Sequence, residues 1–214
     1  LLLGIHRLIS PIRFTDLVPF YGRDWSAISR AFNWFMKYVR TRFYCLVSNC
    51  WDFWKPYLEH FTDCVRDKME EMSNGGIIYP EGGMCVFGFI DDTLIHTTRV
   101  GGGPAEAGED AARYKHMHGL KYQSIELPNG LCLDLYGPTP ANYGDTDLVT
   151  ESQLEMKLAQ LSHGLGKEYI IYGDGIFQHT PHIKSKHAGV TTRAERYENG
   201  IMTKLRISNE WAYG

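Results

Sequence analysis

Between residues 24 and 46, apolar side chains return at helical intervals. In "DWSAISRAFNWFMKYVRTRFYCLV" they fall at Ile28, Phe32, Phe35, Val39, Phe43 and Leu46, behind Asp24, whose short carboxylate suits an N-cap. "WKPYLEHFTDCVRDKMEEM" predicts a second helix over about 54–72. Just upstream, "FTDLVPFYGRDWSAISRAF" reads as helix, Gly-containing turn, helix, with Ser26, Ser29 and Arg30 on the exposed side of the second helix. Two readings stand side by side for this pattern: a helix-turn-helix DNA reader, or a small helical bundle that packs on the next domain. Gly, Asn and Pro then cluster in "SNGGIIYPEGG" (73–83), which marks a boundary between a helical region, 1–73, and a second domain, 84–214.

Past the boundary the period shortens to that of strands. "GMCVFGFI" (83–90) is a first strand, and "HGLKYQSIEL" (118–127) and "GLCLDLYG" (130–137) flank Pro128-Asn129-Gly130, whose Asn-Gly step is a hairpin signal. "TDLVTESQLEMKLAQLSHG" (146–164) reads as a helix, "KEYIIYGD" (167–174) as a strand, and "GIMTKLRISNEWAY" (200–213) as a last helix. The order strand, strand, strand, helix, strand, loop, helix is that of an RNase H-like α/β fold. In that fold the ends of the first strand and of the strand after the helix lie side by side. Asp91 and Asp174 stand at those two ends, and Glu210 on the following helix is a candidate third acid. Thirty-five residues separate Asp174 from Glu210, a spacing that marks many integrases and transposases.

Composition narrows the function classes. With 214 residues, 43% of them hydrophobic, the chain can bury a sizeable core. No run of 18 uncharged apolar residues occurs, and the opening "LLLGIHRLIS" is too short and too soon interrupted by His6 and Arg7 to span a bilayer. A soluble chain without a membrane partner is expected. Five cysteines lie far apart in apolar or aromatic settings, which predicts reduced, buried thiols in an intracellular protein. The net charge is −3, and residues 74–214 carry 12 Lys/Arg against 17 Asp/Glu. That balance argues against a protein that simply coats nucleic acid and suits a carboxylate metal site, whose charge the ions would offset.

Residues 84–214 resemble the DDE-type nuclease of the Harbinger transposase group and its domesticated relatives. "GFIDDT" is similar to the family's G-x-x-D-[GC]-T, and "YKHMHGLKYQSIELPNG" to its segment of Tyr, basic residues, His and a strand. "GPTPANYGDTDLVTES", "YGDGIF" and "ENGIMTKLRISNEWAYG" match three further family pieces in the right order. The resemblance implies an RNase H-like DDE nuclease domain and makes Asp91, Asp174 and Glu210 the catalytic acids. It also aligns Asp145 with a fourth acid, which ligates metal or, on the other reading, caps the helix that follows. Asp92 replaces the family's usual small residue and should point to the other side of the strand. Glu195 is the rival third acid, expected outside the last helix. Two Mg²⁺ or Mn²⁺ ions roughly 3.5–4 Å apart would activate the nucleophile and stabilise the leaving oxygen, and such hard cations prefer oxygen ligands.

The implied activity is metal-dependent DNA cleavage in the nucleus, with a Myb-like DNA-binding partner. The alternative is a domesticated binding protein that has lost cleavage. The chain starts without Met and stops at Gly214, just beyond Glu210, so the helix that carries Glu210 is expected to be truncated. His116, His118, His179, His182 and His187 fit no standard zinc spacing. "GGGPAEAGED" (101–110) lacks the G-x-G-x-x-G pattern of a dinucleotide site and reads as an insertion. Arg113, Lys115 and Lys121 just beyond it form a basic patch, read either as holding a phosphate backbone or as making surface ion pairs.

Overall fold

Two compact units, Leu1–Val47 and Ser48–Gly214, make up the chain. The computed structural model describes residues 1–10, 12–73, 84–97, 111–112, 117–189 and 191–213. The boundary expected at 73–83, the insertion 101–110, and Arg113, Lys115 and His116 thus lie almost wholly outside the described residues.

The first unit contains three helices, α1 (Leu2–Ile9), α2 (Phe14–Tyr21) and α3 (Trp25–Phe43). Asp24 caps α3 as its sequence suggests: one carboxylate oxygen accepts from the backbone N–H of Ser26 at 2.9 Å and of Ala27 at 3.0 Å. The turn from α2 to α3 needs a left-handed residue, and Gly22 supplies it with φ of +58°. Leu17, Ile28 and Phe35 are the buried apolar side chains of this unit, whereas Phe43 and Leu46, at the far end of the expected apolar stripe, are exposed.

The second unit begins where Asp134 gathers the chain. Its buried carboxylate accepts from the backbone N–H of Asn49 (2.7 Å) and from the Trp51 indole (3.2 Å), and it pairs with Lys157 (2.9 Å). The short helix α4 (Trp51–Trp54) and the long α5 (Leu58–Met72) follow. Six strands form the sheet among the described residues: β1 (Cys85–His96), β2 (Ala111–Ala112), β3 (Met117–Glu126), β4 (Cys132–Pro140), β5 (Tyr169–Tyr172) and β6 (Ile183–Lys184). β3 runs antiparallel to both of its neighbours β4 and β1, and β5 and β6 continue parallel to β1. The β3–β4 hairpin turns as Asn129-Gly130 predicts, with Gly130 at φ +76° and the Asn129 side chain accepting from the N–H of Leu131 at 3.0 Å.

Two helices were expected to be simpler than they are. The span 146–164 is broken into α6 (Asp145–Glu151) and α7 (Leu154–Leu165). At the break Ser152 donates its hydroxyl to the buried Gln123 side chain at 2.9 Å, and Gln153 is left-handed with φ of +55°. The last helix, α8 (Arg193–Tyr213), starts seven residues before the expected 200. Its first turn is closed by a reciprocal pair: Thr192 N–H donates to Glu195 Oε2 (2.6 Å) and Glu195 N–H to Thr192 Oγ1 (3.2 Å). Glu195 therefore lies inside the helix, not outside it, and is engaged in a cap.

Each face of the sheet carries its own core. Phe87, Ile90 and Ile171 pack with Leu154, Leu158 and Leu161 of α7 on one face. Phe89, Ile170 and Tyr172 pack with Val65 and Met69 of α5 and with Ile201, Met202 and Leu205 of α8 on the other. The thiols do not all follow the expected burial: Cys50 is buried and Cys85 and Cys132 half-buried, but Cys45 and Cys64 are exposed. No helix among the described residues is long and apolar enough to cross a membrane.

Candidate active site

The parallel pairing of β1 and β5 ends at the rung Phe89↔Tyr172. Asp91 and Asp174 each stand two residues beyond it. Side chains alternate along a strand, so Asp91 shares the face of Phe89, the face covered by α8. β1 itself does not end at Ile90 as its apolar run suggests; it continues to His96 through antiparallel pairing with β3, so Asp91 and Asp92 lie within it.

On the α8 face the two acids meet one cation. Arg206, next to Leu205 in that core, is 7% exposed and places its two terminal nitrogens 3.6 Å from Asp91 Oδ1 and 3.6 Å from Asp174 Oδ1. Lys186 lies a further 3.6 Å from the same Asp174 oxygen. The carboxylates remain reachable by solvent, Asp91 at 29% and Asp174 at 44% side-chain exposure. Local bonds orient both: Asp91 Oδ1 accepts from the N–H of Asp92 at 3.0 Å and Asp174 Oδ1 from that of Gly175 at 2.6 Å. Gly173, between β5 and Asp174, admits no Cβ without a contact of 2.9 Å to Phe177, so the turn that aims Asp174 rests on a glycine.

On the opposite face Asp92 points away from Asp91 and joins Lys121 and Asp145. Lys121 lies 3.4 Å from Asp92 and in close contact with Asp145, and it donates to the carbonyl of Tyr143 at 3.0 Å. This group is largely closed to solvent, with side-chain exposures of 6% for Asp92, 8% for Lys121 and 15% for Asp145. Burial, followed by the Asp145 charge, pushes the Asp92 carboxyl up to about 8 against the pull of Lys121. Burial alone would lower the Lys121 ammonium, but the hydrogen bond to Asp145 and the charges of Asp92 and Asp145 outweigh it and leave it raised. Lys121 is thus a buried cation paired within the fold and not part of an exposed basic patch. Asp145 is the first helical residue of α6, and Gly144 occupies the N-cap position.

Glu210 lies on α8, four residues beyond Arg206; its side chain is outside the described residues. Glu195 is held by Thr192 at the other end of the same helix, with His187 at 3.8 Å. Three of the described histidines have other partners, His182 the Tyr169 carbonyl at 3.1 Å, His179 the Lys184 ammonium at 3.0 Å, and His187 the Glu198 carboxylate at 2.9 Å, whereas His118 Nδ1 is buried without a hydrogen-bond partner. Among the described residues no group of three or more His, Cys, Asp or Glu is gathered to hold a metal ion. The pair Asp91 and Asp174 nevertheless has the donor chemistry that hard divalent cations prefer, and a guanidinium already supplies positive charge to it. Sequence reasoning gave Arg206 no role of its own, although it lies in the family-like stretch "ENGIMTKLRISNEWAYG", directly after the apolar Leu205.

A mixed sheet with a helix-covered core on each face, and two solvent-reachable carboxylates two residues past the last parallel rung of neighbouring strands, places the chain among α/β proteins. The comparison by family is specific: the description DDE superfamily endonuclease matches residues 90–214, more than half of the chain, and the chain belongs to that family. Membership points to a nuclease or transposase-like function, with DNA as the substrate the family suggests and divalent metals as the ions it generally uses. No curated protein and no solved structure matches the chain.

Proposed function

We propose that this chain is a divalent-metal-dependent DNA endonuclease of the Harbinger transposase type. The observation that carries the reading is the placement of Asp91 and Asp174 two residues past the last parallel rung of neighbouring strands, on one face and beside one cation. The strand order, with antiparallel β4, β3 and β1 followed by parallel β5 and β6, supports an RNase H-like assignment. In this reading Asp91, Asp174 and Glu210 hold the ions. Bound Mg²⁺ or Mn²⁺ would supply an activated water and charge stabilisation at the phosphate. The side chains do the positioning: Asp91 and Asp174 fix where the positive charge sits, and their hydrogen bonds to Asp92 and Gly175 N–H keep each oxygen aimed. Hydrolysis in this reading would form the bond from the water oxygen to phosphorus, break the bond to the leaving oxygen, and transfer a proton from the water to that oxygen.

Asp145 enters this scheme as a support for the strand bearing Asp91, through Lys121 and Asp92; the alternative role, a metal ligand, would require it to exchange Lys121 for an ion. The three-helix unit 1–47 supports a DNA-reading role. Arg7, Arg13, Arg23, Arg30, Lys37, Arg40 and Arg42 oppose only Asp16 and Asp24 there, and phosphate neutralisation by such charges dominates nonspecific DNA affinity. A Myb-like partner and a nuclear location belong to the same proposal. A second reading, a domesticated DNA- or protein-binding derivative without cleavage, is favoured by one observation: Arg206 and Lys186 already balance the charge of the two acids. Incubation of the chain with supercoiled plasmid and Mn²⁺, beside Asp174→Asn, tests between them. Metal-dependent nicking that the variant lacks supports the enzyme; equal, background nicking by both overturns it.

A further inference from the structure

We infer that Arg206 is a positioning residue for the acid pair: an internal counter-cation that holds Asp91 and Asp174 beside each other before metal arrives and then competes with the metal for them. The inference rests on the reading of that pair as the metal-holding acids. Three features of the arginine carry it. It is buried in the α8 core, so its charge requires partners, and Asp91 and Asp174 are the two carboxylates within ion-pairing range of its terminal nitrogens among the described residues. Both separations are 3.6 Å, beyond hydrogen-bonding range, so the attraction is a matter of charge and not of the bidentate fork an arginine forms when it locks a carboxylate. Its Nε is buried with no hydrogen-bond partner, so the guanidinium is incompletely satisfied where it stands.

An arginine held in this manner differs from a structural ion pair. Without it, the two carboxylates would lose the cation they share, and their mutual repulsion would be less offset, with Lys186 at 3.6 Å from Asp174. With it, their charge is offset, yet loosely enough that an ion with shorter bonds to oxygen, near 2.1 Å for Mg²⁺, displaces its influence.

The test has a metal-free arm and a metal arm, both on the whole chain. In the first, melting temperatures are measured in EDTA for wild type, Arg206→Met, Asp91→Asn with Asp174→Asn, and all three together. Arg206→Met is expected to melt roughly 5–10 °C lower. The double Asn variant should also melt lower, because it strands the buried arginine, and the triple variant should recover much of that loss. Additive losses, with the triple variant worst, would overturn the clamp whether or not the protein is a nuclease. In the second arm Mn²⁺ binding is titrated by calorimetry or by the electron paramagnetic resonance of free Mn²⁺. Removal of a positive charge beside the site should tighten binding roughly threefold or more in Arg206→Met, and Arg206→Lys should restore affinity toward wild type. Affinity in a folded Arg206→Met variant equal to or weaker than wild type would overturn the competition. Absence of Mn²⁺ binding by wild type and Arg206→Met alike would overturn it too, together with the metal reading, while the metal-free arm still decides the clamp.

Discussion

Asp91 and Asp92 are neighbours in one strand, yet they serve opposite ends of a physical spectrum. Asp91 shares Arg206 with Asp174 at 3.6 Å and remains 29% exposed. Asp92 shares Lys121 with Asp145 in a group largely closed to solvent, where its carboxyl is pushed up to about 8. Both are acid–base–acid triplets. The difference lies in burial and distance: a loose, wet triplet can exchange its cation for an ion, whereas a tight, dry one cannot without leaving a buried charge unpaired. A carboxylate doublet in sequence is therefore two environments, one reachable by solvent and one packed behind the strand.

The largest expected effect separates the two triplets by activity. Asp174→Asn should reduce Mn²⁺-dependent plasmid nicking by at least about a thousandfold, since the amide keeps the shape but loses the charge that holds an ion. DNA affinity by gel shift should stay equal or rise. Asp145→Asn should retain measurable nicking. If it abolishes cleavage in a protein that still melts cooperatively, the closed triplet is part of the reaction and the contrast fails.

Stability should show the reverse ranking. Lys121→Met removes the cation from the closed group and leaves Asp92 and Asp145 facing each other, a loss of about 3–5 kcal/mol by the usual cost of breaking a buried pair. Urea denaturation measures it. A loss below about 1 kcal/mol would place the triplet among ordinary surface pairs.

The pH dependence sharpens the point further. Asp92 has a folded value of about 8 against 3.8 for an unperturbed carboxyl, so the native state holds a proton that the unfolded chain has released. Its contribution is fully present below about pH 4, falls as pH rises through the window from 3.8 to about 8, and is constant above. Asp92→Asn should flatten that slope, with a gain near pH 8 of about 1–3 kcal/mol relative to wild type. Parallel stability curves for the two proteins across pH 5–8 would contradict a protonated Asp92.

The smallest effect is a shift in melting with metal. At millimolar Mn²⁺ the wild type and Asp92→Asn should both melt a few degrees higher, and Asp91→Asn should not, because an ion stabilises the native state only through groups that bind it there. Equal shifts in all three would move the ion away from Asp91.

Much of this was legible in the chain. The alternation of "GFIDD" by itself sends Asp91 and Asp92 to opposite faces, the Asn129-Gly130 turn forces β3 and β4 together, and Asp24 caps its helix through bonds that reach no further than three residues. These are local rules, in which the partner sits next to the signal. What tertiary structure alone decided is which charge answers which. Arg206 lies 115 residues from Asp91 and reads in the sequence as one more cation on an amphipathic helix. Lys121 reads as part of a surface patch, and Asp145 as a companion of Asp91. Only the pairing of β1 with β3 and β5, and the packing of α6 and α8 on opposite faces, brings Lys121 and Asp145 behind the strand and Arg206 in front of it. Charge is long-ranged in a dry interior, and its partners are chosen by the fold and not by proximity along the chain.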